Sequence, residues 1–155
     1  MRPMTALPAE LVSTFDGAVP ASATGTALSL MTVDEDGWPR EAHLSVGEVL
    51  ARGDSSLRLC TWPRSRTTGN LRRDGRALLV AVAGGSAWHI RIRVSERPAP
   101  PGAPELAYFV AKAESVEEQP AKYATVERGV AFRLHDPPAV HERWAAQLAA
   151  LRSIG

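Results

Sequence analysis

The sequence is short of cysteine, of net charge and of long apolar runs, and each shortage excludes a class of protein. Its only cysteine, Cys60, has no partner for an internal disulfide, which fits a reducing, cytoplasmic compartment. Its 18 basic and 17 acidic residues leave a net charge of +1, so no excess of positive charge points to a nucleic-acid partner. No apolar run approaches the roughly 18 residues that a membrane span needs, so we expect no membrane partner either.

The composition is otherwise that of a folded globular domain. Hydrophobic residues make up 45% of the chain, enough to bury a core without disulfides. A length of 155 residues suits one domain, and we expect residues 1–155 to form it. No spacing of histidines suits a metal site, so no metal is expected.

Alternation of apolar and polar residues predicts a mainly β protein. Residues 39–51 alternate with a period of two after a turn at 34–37, which indicates a hairpin with the apolar run before it. Two further strands meet at Gly84-Gly85, a favoured pair for a tight turn. The predicted strands cover residues 27–33, 39–51, 55–62, 76–83, 86–94, 105–118 and 129–136. Seven mostly antiparallel strands at this spacing predict a barrel or a sandwich.

Helical patterns are fewer and shorter. Ser65 is a candidate N-cap, and Gly75 lies just beyond the end, of a short helix that follows the third strand. The segment 105–118 has some helical propensity, but Tyr108 and Val110 favour a strand. The predicted helices cover about 8–16, 65–75 and 137–153, with one helical turn at 120–124.

The stretch TWPRSRTTGNL, residues 61–71, collects arginines and hydroxyl side chains where a strand gives way to a helix. A helix N-terminus presents unpaired N–H groups and the positive end of the helix dipole, which together attract phosphate. Arg64 and Arg66 add bidentate donors, and Ser65 and Thr67 add hydroxyl groups. In the other interpretation, Ser65 only caps the helix and the arginines form a solvated face. The residue types alone leave both interpretations open.

Four segments together resemble the pyridoxamine 5′-phosphate oxidase-like family, the FMN-binding split barrels. They are ALSLMTVDEDGWPREAHLS (27–45), LRLCTWPRSRTTGNLRRDGRALL (57–79), AWHIRIRVSE (87–96) and GVAFRL (129–134), within a likeness over roughly residues 10–135. The resemblance implies a split β-barrel of six to seven mostly antiparallel strands, of Greek-key type. It also implies an FMN-binding oxidoreductase that forms a homodimer and acts on a small-molecule substrate.

The resemblance implies roles for ten residues. Those expected to hold the FMN phosphate are Arg40, Ser65, Arg66 and Thr67. Those expected along the isoalloxazine ring are His43, Leu44, Ser45, Cys60 and Thr61. Trp88 stands where the oxidases carry a glutamine near the flavin.

The chain departs from the oxidases at several positions. Thr67 and Ser45 stand where the oxidases carry lysines, and the C-terminus is a helix instead of the segment that holds pyridoxal phosphate. A genuine pyridoxamine phosphate oxidase is therefore not expected, and the catalytic residues stay unassigned. An FMN-dependent oxidoreductase is the first hypothesis. The alternatives are a deazaflavin-dependent reductase, whose longer acidic tail would meet Arg72, Arg73 and Arg76, and a binding or regulatory module without a cofactor, for haem or a partner protein.

Tryptophan and cysteine each allow a structural and a functional interpretation. Trp38, Trp62 and Trp88 either pack in the core or a dimer interface, or form walls of a flavin pocket. Cys60 is either a small buried apolar residue or a reactive thiol, and the first is favoured for a lone strand cysteine. Trp144 is expected in the core, on the apolar face of the C-terminal helix.

Overall fold

The computed structural model describes residues 4–155, which form one antiparallel seven-stranded sheet and three α-helices. The strands are β1 (Ala27–Val33), β2 (Pro39–Ser45), β3 (Val49–Arg52), β4 (Ser56–Thr61), β5 (Arg76–Ala83), β6 (Ser86–Arg97) and β7 (Ala107–Gln119). The helices are α1 (Ala9–Thr14), α2 (Arg66–Asp74) and α3 (Pro137–Ser153), with a 3-10 turn at Ala21–Ala23. None of these helices is long and apolar enough to cross a membrane. The prediction of a mainly β fold is confirmed.

The sheet curls because of one short connection. The strand order β2-β1-β5-β6-β7-β4-β3 places β2 and β3, which are consecutive in the chain, at opposite edges of the sheet. Only residues 46–48 join them, and the step from Ser45 to Val49 spans at most about 14 Å. The two edges must therefore lie close together, which rolls the sheet into a split barrel.

Apolar side chains are buried on both faces of the rolled sheet. The barrel interior holds a large cluster that includes Leu30, Leu59 and Ile90. A second, smaller cluster lies where α3 packs on the outside of the sheet, and it includes Cys60 and Leu148. Leu59 and the adjacent Cys60 thus serve different clusters, as the period-two pattern predicts. Burial of each large apolar side chain contributes about 1.5–3 kcal/mol to stability.

Helix α3 also holds the connection between the two edge strands. The indole of Trp144 packs directly on Gly47, where a Cβ atom would overlap the ring. The side-chain Nε2 of Gln147 donates a hydrogen bond to the carbonyl oxygen of Gly47 at 2.8 Å. Trp144 and Gln147 are both buried. The closure of the barrel therefore depends on contacts with the C-terminal helix.

Local sequence determines both ends of α2. The hydroxyl of Ser65, the N-cap, accepts the backbone N–H of Thr68 at 3.1 Å. At the other end Gly75 adopts a left-handed conformation with φ of 74°, and its N–H donates to the carbonyl of Leu71 at 2.8 Å. The predicted helix after the third strand and both of its caps are confirmed.

Residues 39–51, predicted as one strand, form the two strands β2 and β3. The backbone N–H of Glu48 donates to the carbonyl of Ser45 at 3.1 Å, so the chain turns between them. In the sequence, apolar and polar residues keep alternating through this turn. The turn is buried like a strand, but Gly47 is covered by Trp144 of α3 and not by a neighbouring strand. The prediction of a single strand was wrong for this tertiary reason.

The prediction of a last strand over residues 129–136 is also wrong. Within it only Ala131 makes a β-bridge, to Thr26. Strand β1 begins next to Thr26, at Ala27, and from Ser29 to Met31 it is paired with β2 on one side and β5 on the other, so residues 129–136 cannot extend their pairing along it. The helical turn expected at 120–124 is absent too, and an ordinary turn at 122–123 stands in its place.

Substitution of Gly47 tests the contact that closes the barrel. We expect Gly47→Ala to lower the free energy of unfolding by about 1–3 kcal/mol, because the new methyl group would overlap the Trp144 indole. Urea unfolding measures this loss. The matched control is Gly69→Ala within α2, where a Cβ meets nothing within 4 Å, and we expect it to stabilise by about 0.5–1 kcal/mol. Equal stability of wild type and Gly47→Ala would contradict the proposed contact.

Candidate functional site

A cavity of about 190 Å³ opens where β4 ends and α2 begins, between edge strand β2 and helix α3. We call it the α2 cavity. It brings together six of the ten residues that the sequence singled out: His43, Leu44, Cys60, Thr61, Ser65 and Thr67. The rest of its wall is formed by Ala42, Glu48, Trp62, Leu106, Arg143 and Gln147.

The first turn of α2 carries free hydrogen-bond donors. The backbone N–H groups of Arg66 and Thr67 have no acceptor among the described residues, as is usual for the start of a helix. The next N–H, that of Thr68, is taken by Ser65. The side chain of Thr67 is buried and lines the α2 cavity. This end of the helix therefore suits an anion, through its free amides and its dipole.

Strand β2 supplies a second set of free backbone groups. It lies at an edge of the sheet, with β1 on one side and no strand on the other. About half of its N–H and C=O groups therefore lack a partner in the sheet. Residues 42–44 of this strand line the α2 cavity, so polar backbone groups lie beside its apolar wall.

Arg40 is engaged in an ion pair on the β1–β2 hairpin. Its Nε and Nη2 atoms donate to the two carboxylate oxygens of Asp34 at 2.8 and 2.9 Å. The side-chain amide of Asn70, on α2, donates to Asp34 Oδ1 at 2.8 Å. These bonds, with that from Arg40 the largest cause, lower the pKa of Asp34 to about 2. The bond from Asn70 to Asp34 ties the hairpin to α2, while Arg40 pairs within the hairpin and does not line the α2 cavity.

Arg66 does not line the α2 cavity but lies next to its lining residues in the chain. It lines a second space of about 360 Å³ between the hairpin and α2, together with Asp34, Glu35, Asp36, Gly69, Asn70 and Arg73. Its neighbour in the chain, Thr67, lines the α2 cavity. In the described part of the chain no carboxylate forms an ion pair with Arg66, although its charge contributes weakly to the lowered pKa of Asp34. Arg66 is therefore an exposed guanidinium that is available beside the start of α2.

Cys60 is a buried thiol, as the sequence predicts. Burial, with a smaller effect of the nearby Glu48, raises its pKa to about 12. A thiol that stays protonated is a poor nucleophile. Cys60 therefore contributes packing to the wall of the α2 cavity.

Glu48 is a partly buried carboxylate in the same wall. Its Oε2 accepts the backbone N–H of Ser45 at 2.9 Å. Burial raises its pKa, while Ser45 and the charge of Arg143 act in the opposite direction with smaller effect. Sequence reasoning missed Glu48, and the available signal was a lone acidic residue inside the apolar run of residues 44–51.

Two residues of α3, Arg143 and Gln147, were also missed. The amphipathic pattern of the helix predicts its buried face, on which Trp144 lies, but not which part of the sheet that face covers. Arg143 and Gln147 line the α2 cavity because α3 packs over the connection between β2 and β3. No pattern in the sequence indicates this docking position.

Two of the remaining predicted residues lie elsewhere. Ser45 lines an adjoining cavity of about 190 Å³ beside α3, which we call the α3 cavity. Trp88 lies next to the β5–β6 hairpin, where its indole N–H donates to the carbonyl of Ala83 at 2.9 Å. Along β6, Trp88 lies eight residues, or about 26 Å, from Glu96. Glu96 is the residue of this strand that contacts α2, through Arg72. The structure therefore does not bring Trp88 to the α2 cavity of its own chain.

The other three tryptophans differ in burial. Trp144 is buried in the core, which confirms that prediction. Trp62 lines the mouth of the α2 cavity and is 66% exposed. Trp38, at the β1–β2 hairpin, is 72% exposed. Neither of these two packs in the core of the described chain.

Comparison with solved structures identifies the class of fold. The chain matches a candidate pyridoxamine 5′-phosphate oxidase from Lactobacillus delbrueckii with a TM-score of 0.58 and 19% identity, over 76% of this chain and 99% of that one. It matches the HupZ protein of Group A Streptococcus with a TM-score of 0.56 and 11% identity, over 78% and 100% of the two chains. An F420 reductase matches with a TM-score of 0.50 and 15% identity, over 65% and 100%. The fold is therefore the split barrel of pyridoxamine 5′-phosphate oxidase-like proteins, as the resemblance in sequence implied.

A relative in sequence places the chain within a family. It is 34% identical over 143 residues to the uncharacterized protein YclD of Bacillus subtilis (strain 168), over 92% of this chain and 93% of that protein. The chain belongs to the same family as YclD. No protein-family model matches it.

The pKa of Asp34 predicts an acid-dependent loss of stability. Because the pKa is near 4 in the unfolded chain and about 2 in the fold, the Asp34 contacts stabilise fully above pH 4 and are lost as the pH falls towards 2. We expect Asp34→Asn to be less stable than wild type at pH 6, and the difference to shrink between pH 4 and pH 2. Urea unfolding at several pH values measures it.

Asp36→Asn is the control, because Asp36 lies on the same turn and, among the described residues, its carboxylate accepts only a long hydrogen bond of 3.3 Å from the Trp38 N–H. Its stability should stay within about 0.5 kcal/mol of wild type, as for most surface substitutions. A difference between Asp34→Asn and wild type that is unchanged down to pH 2 would contradict the assignment.

Proposed function

We propose that the chain binds FMN in the α2 cavity and acts as a flavin-dependent oxidoreductase. The observation that carries this proposal is that two sets of unpaired backbone groups lie at one cavity. The start of α2 offers amides and a helix dipole, and edge strand β2 offers unpaired groups along an apolar wall. A phosphate ester suits the first, and a flat heteroaromatic ring suits the second.

The phosphate end of FMN would be held at the start of α2. The amides of Arg66 and Thr67 are free there, and the guanidinium of Arg66 has no ion-pair partner in the described chain. A hydrogen bond to a charged group contributes about 1.5–3 kcal/mol, and the helix end adds about 0.3–1 kcal/mol. Arg40 acts less directly, because its ion pair with Asp34 and the bond from Asn70 hold the hairpin against α2.

The ring end of FMN would lie along strand β2. Ala42 and Leu44 from that strand, with Leu106, give an apolar surface, and Trp62 presents an exposed aromatic face at the mouth. Bound FMN would supply the redox chemistry by accepting and passing on electrons. The residues of this chain bind the ring, orient it and shield it, and the protonated Cys60 packs beside it.

The pairing of nearby arginines favours FMN over a deazaflavin with a longer acidic tail. Arg72 already pairs with Glu96 at 2.6 Å, and Arg76 pairs with Asp74 at 2.9 Å. Arg73 donates hydrogen bonds to Asn70 and to a backbone carbonyl. A longer tail would have to replace these existing partners. The likeness to an F420 reductase keeps a deazaflavin as the comparison to include in the test.

FMN titration tests the proposal. We expect the purified protein to quench FMN fluorescence on binding, and Arg66→Ala to weaken the affinity at least tenfold, about 1.4 kcal/mol. Arg76→Ala removes the same charge from an arginine that is paired with Asp74, and its FMN affinity should stay within about twofold of wild type.

Three results would count against the proposal. A protein that binds neither FMN nor a deazaflavin would support a module without a flavin cofactor. Tighter binding of the deazaflavin would support a deazaflavin-dependent reductase. Equal weakening by Arg66→Ala and Arg76→Ala would mean that only net charge matters, not the start of α2.

We also propose that two copies of the chain form a homodimer over the mouth of the α2 cavity. The cavity of about 190 Å³ is smaller than the roughly 300–1,000 Å³ of usual ligand sites, so further groups are needed to enclose a flavin. Trp62 at its mouth and Trp38 on the neighbouring hairpin are largely exposed, and large exposed aromatic side chains are typical of interfaces.

Light scattering on a sizing column tests the dimer. We expect a mass twice the 16.6 kDa of one chain, and Trp62→Arg to shift the protein towards the monomer. Tyr123→Arg is the control, because Tyr123 is 96% exposed and does not line the α2 cavity. A monomeric wild type, or equal dissociation by both substitutions, would exclude this interface.

A further inference from the structure

The α3 cavity adjoins the α2 cavity and differs from it in character. It lies between the end of β2, the segment that follows Ala131, and α3. Its apolar wall consists of Phe132, Leu134, Val140 and Trp144, with Ala27. Phe132 is partly exposed and Trp144 is buried, so the cavity has an open side and a firm floor. Such a space suits a small apolar group.

Glu48 and Arg143 line both cavities, at the boundary between them. They are close enough for the charge of Arg143 to lower the pKa of Glu48, yet no nitrogen of Arg143 comes within 4.0 Å of its carboxylate. Among the described residues Arg143 has neither a salt bridge nor a side-chain hydrogen bond. His43, which also lines both cavities, is hydrogen-bonded to Glu41 at 3.0 Å. The boundary therefore holds a cation without a bonded partner in the described chain and a carboxylate that is not paired with it.

The surroundings of Glu48 make an unneutralised carboxylate costly. Its hydrogen-bond partners belong to Ser45 and carry no charge. Burial raises the pKa of Glu48, which indicates that desolvation outweighs these contacts. A cationic group beside the carboxylate would offset this cost, and a carboxylate beside Arg143 would satisfy its forked donors.

We propose that the α3 cavity binds a small zwitterion with an apolar side chain, namely an apolar or aromatic α-amino acid. Its ammonium group lies against Glu48 and its carboxylate against Arg143. Its side chain packs on Phe132 and Trp144, in the apolar part of the cavity. The ligand pairs each of its two charges with a side chain of opposite sign at the boundary between the cavities.

This inference deepens the proposed function, because the ligand would lie beside the flavin as a substrate or an effector. Binding itself depends only on residues of the α3 cavity and needs no flavin. The protein without added FMN therefore tests the inference separately from FMN binding.

Calorimetric titration with three matched probes tests the charge pattern on wild-type protein. We expect L-phenylalanine to bind with a dissociation constant of about 1 mM or tighter. Phenethylamine lacks the carboxylate and 3-phenylpropanoate lacks the ammonium group, and we expect each to bind at least tenfold more weakly. Because these probes need no variant, the test does not depend on how a substitution affects folding.

Three substitutions then locate the site. Arg143→Gln and Glu48→Gln each remove one charge with little change in shape, and we expect each to weaken L-phenylalanine binding at least tenfold. Glu142→Gln is the control, because Glu142 is an exposed neighbour on α3 that does not line the cavity, and it should bind like wild type. Circular dichroism checks that each variant is folded.

Several outcomes would overturn the inference. They are no measurable binding of L-phenylalanine, binding of 3-phenylpropanoate or phenethylamine as tight as that of the amino acid, and no effect of either charge-removing substitution in a folded variant. If FMN fails to bind while L-phenylalanine binds as expected, the proposed function is lost and this inference stands. The reverse result removes only the inference.

Discussion

The contact between α3 and Gly47 is the constraint on which the rest of the structure depends. Three residues join the two edge strands of the sheet, and the Trp144 indole and the Gln147 amide hold the middle one in place. Because the edges are held together there, the sheet rolls and edge strand β2 comes to face the start of α2. The α2 cavity exists because of this closure, and the α3 cavity lies beside it. A glycine is required at the centre of the contact, since any Cβ would occupy the position of the indole.

The arginines around the hairpin, α2 and the two cavities differ in whether they are paired. Most of those around the hairpin and α2 have acidic or carbonyl partners, as Arg40 has in Asp34 and Arg72 has in Glu96. Arg66 and Arg143 have no such partner in the described part of the chain, and both lie at cavities. The paired arginines use their charges in contacts that hold elements of the fold together. Arg66 and Arg143 therefore carry positive charge that no contact within the described chain uses.

Much of the fold was predictable because the relevant physics is local. Period-two alternation identified β4 and β6, an apolar run identified β1, the Gly84-Gly85 turn identified β5, and the strand over 105–118 corresponds to β7 (Ala107–Gln119). Ser65 and Gly75 marked the ends of α2 through capping. The errors arose where packing over long distances decides the outcome. Residues 129–136 had the right pattern, but β1 beside them is already paired on both sides from Ser29 to Met31, and the turn that ends β2 was hidden because α3 buries Gly47.

The candidate site shows the same division. The sequence by itself determined most of the strands and the three α-helices, that Cys60 is buried, and that the junction at residues 61–71 is rich in donors, because propensity, alternation and capping act within a few residues. Only the tertiary structure decided that Arg40 is paired, that Trp88 lies far along β6, and that Glu48, Arg143 and Gln147 share one wall. These positions depend on where α3 docks and how far the sheet rolls. Both are settled by contacts between residues about 100 positions apart, as between Gln147 and Gly47, and no short pattern encodes them.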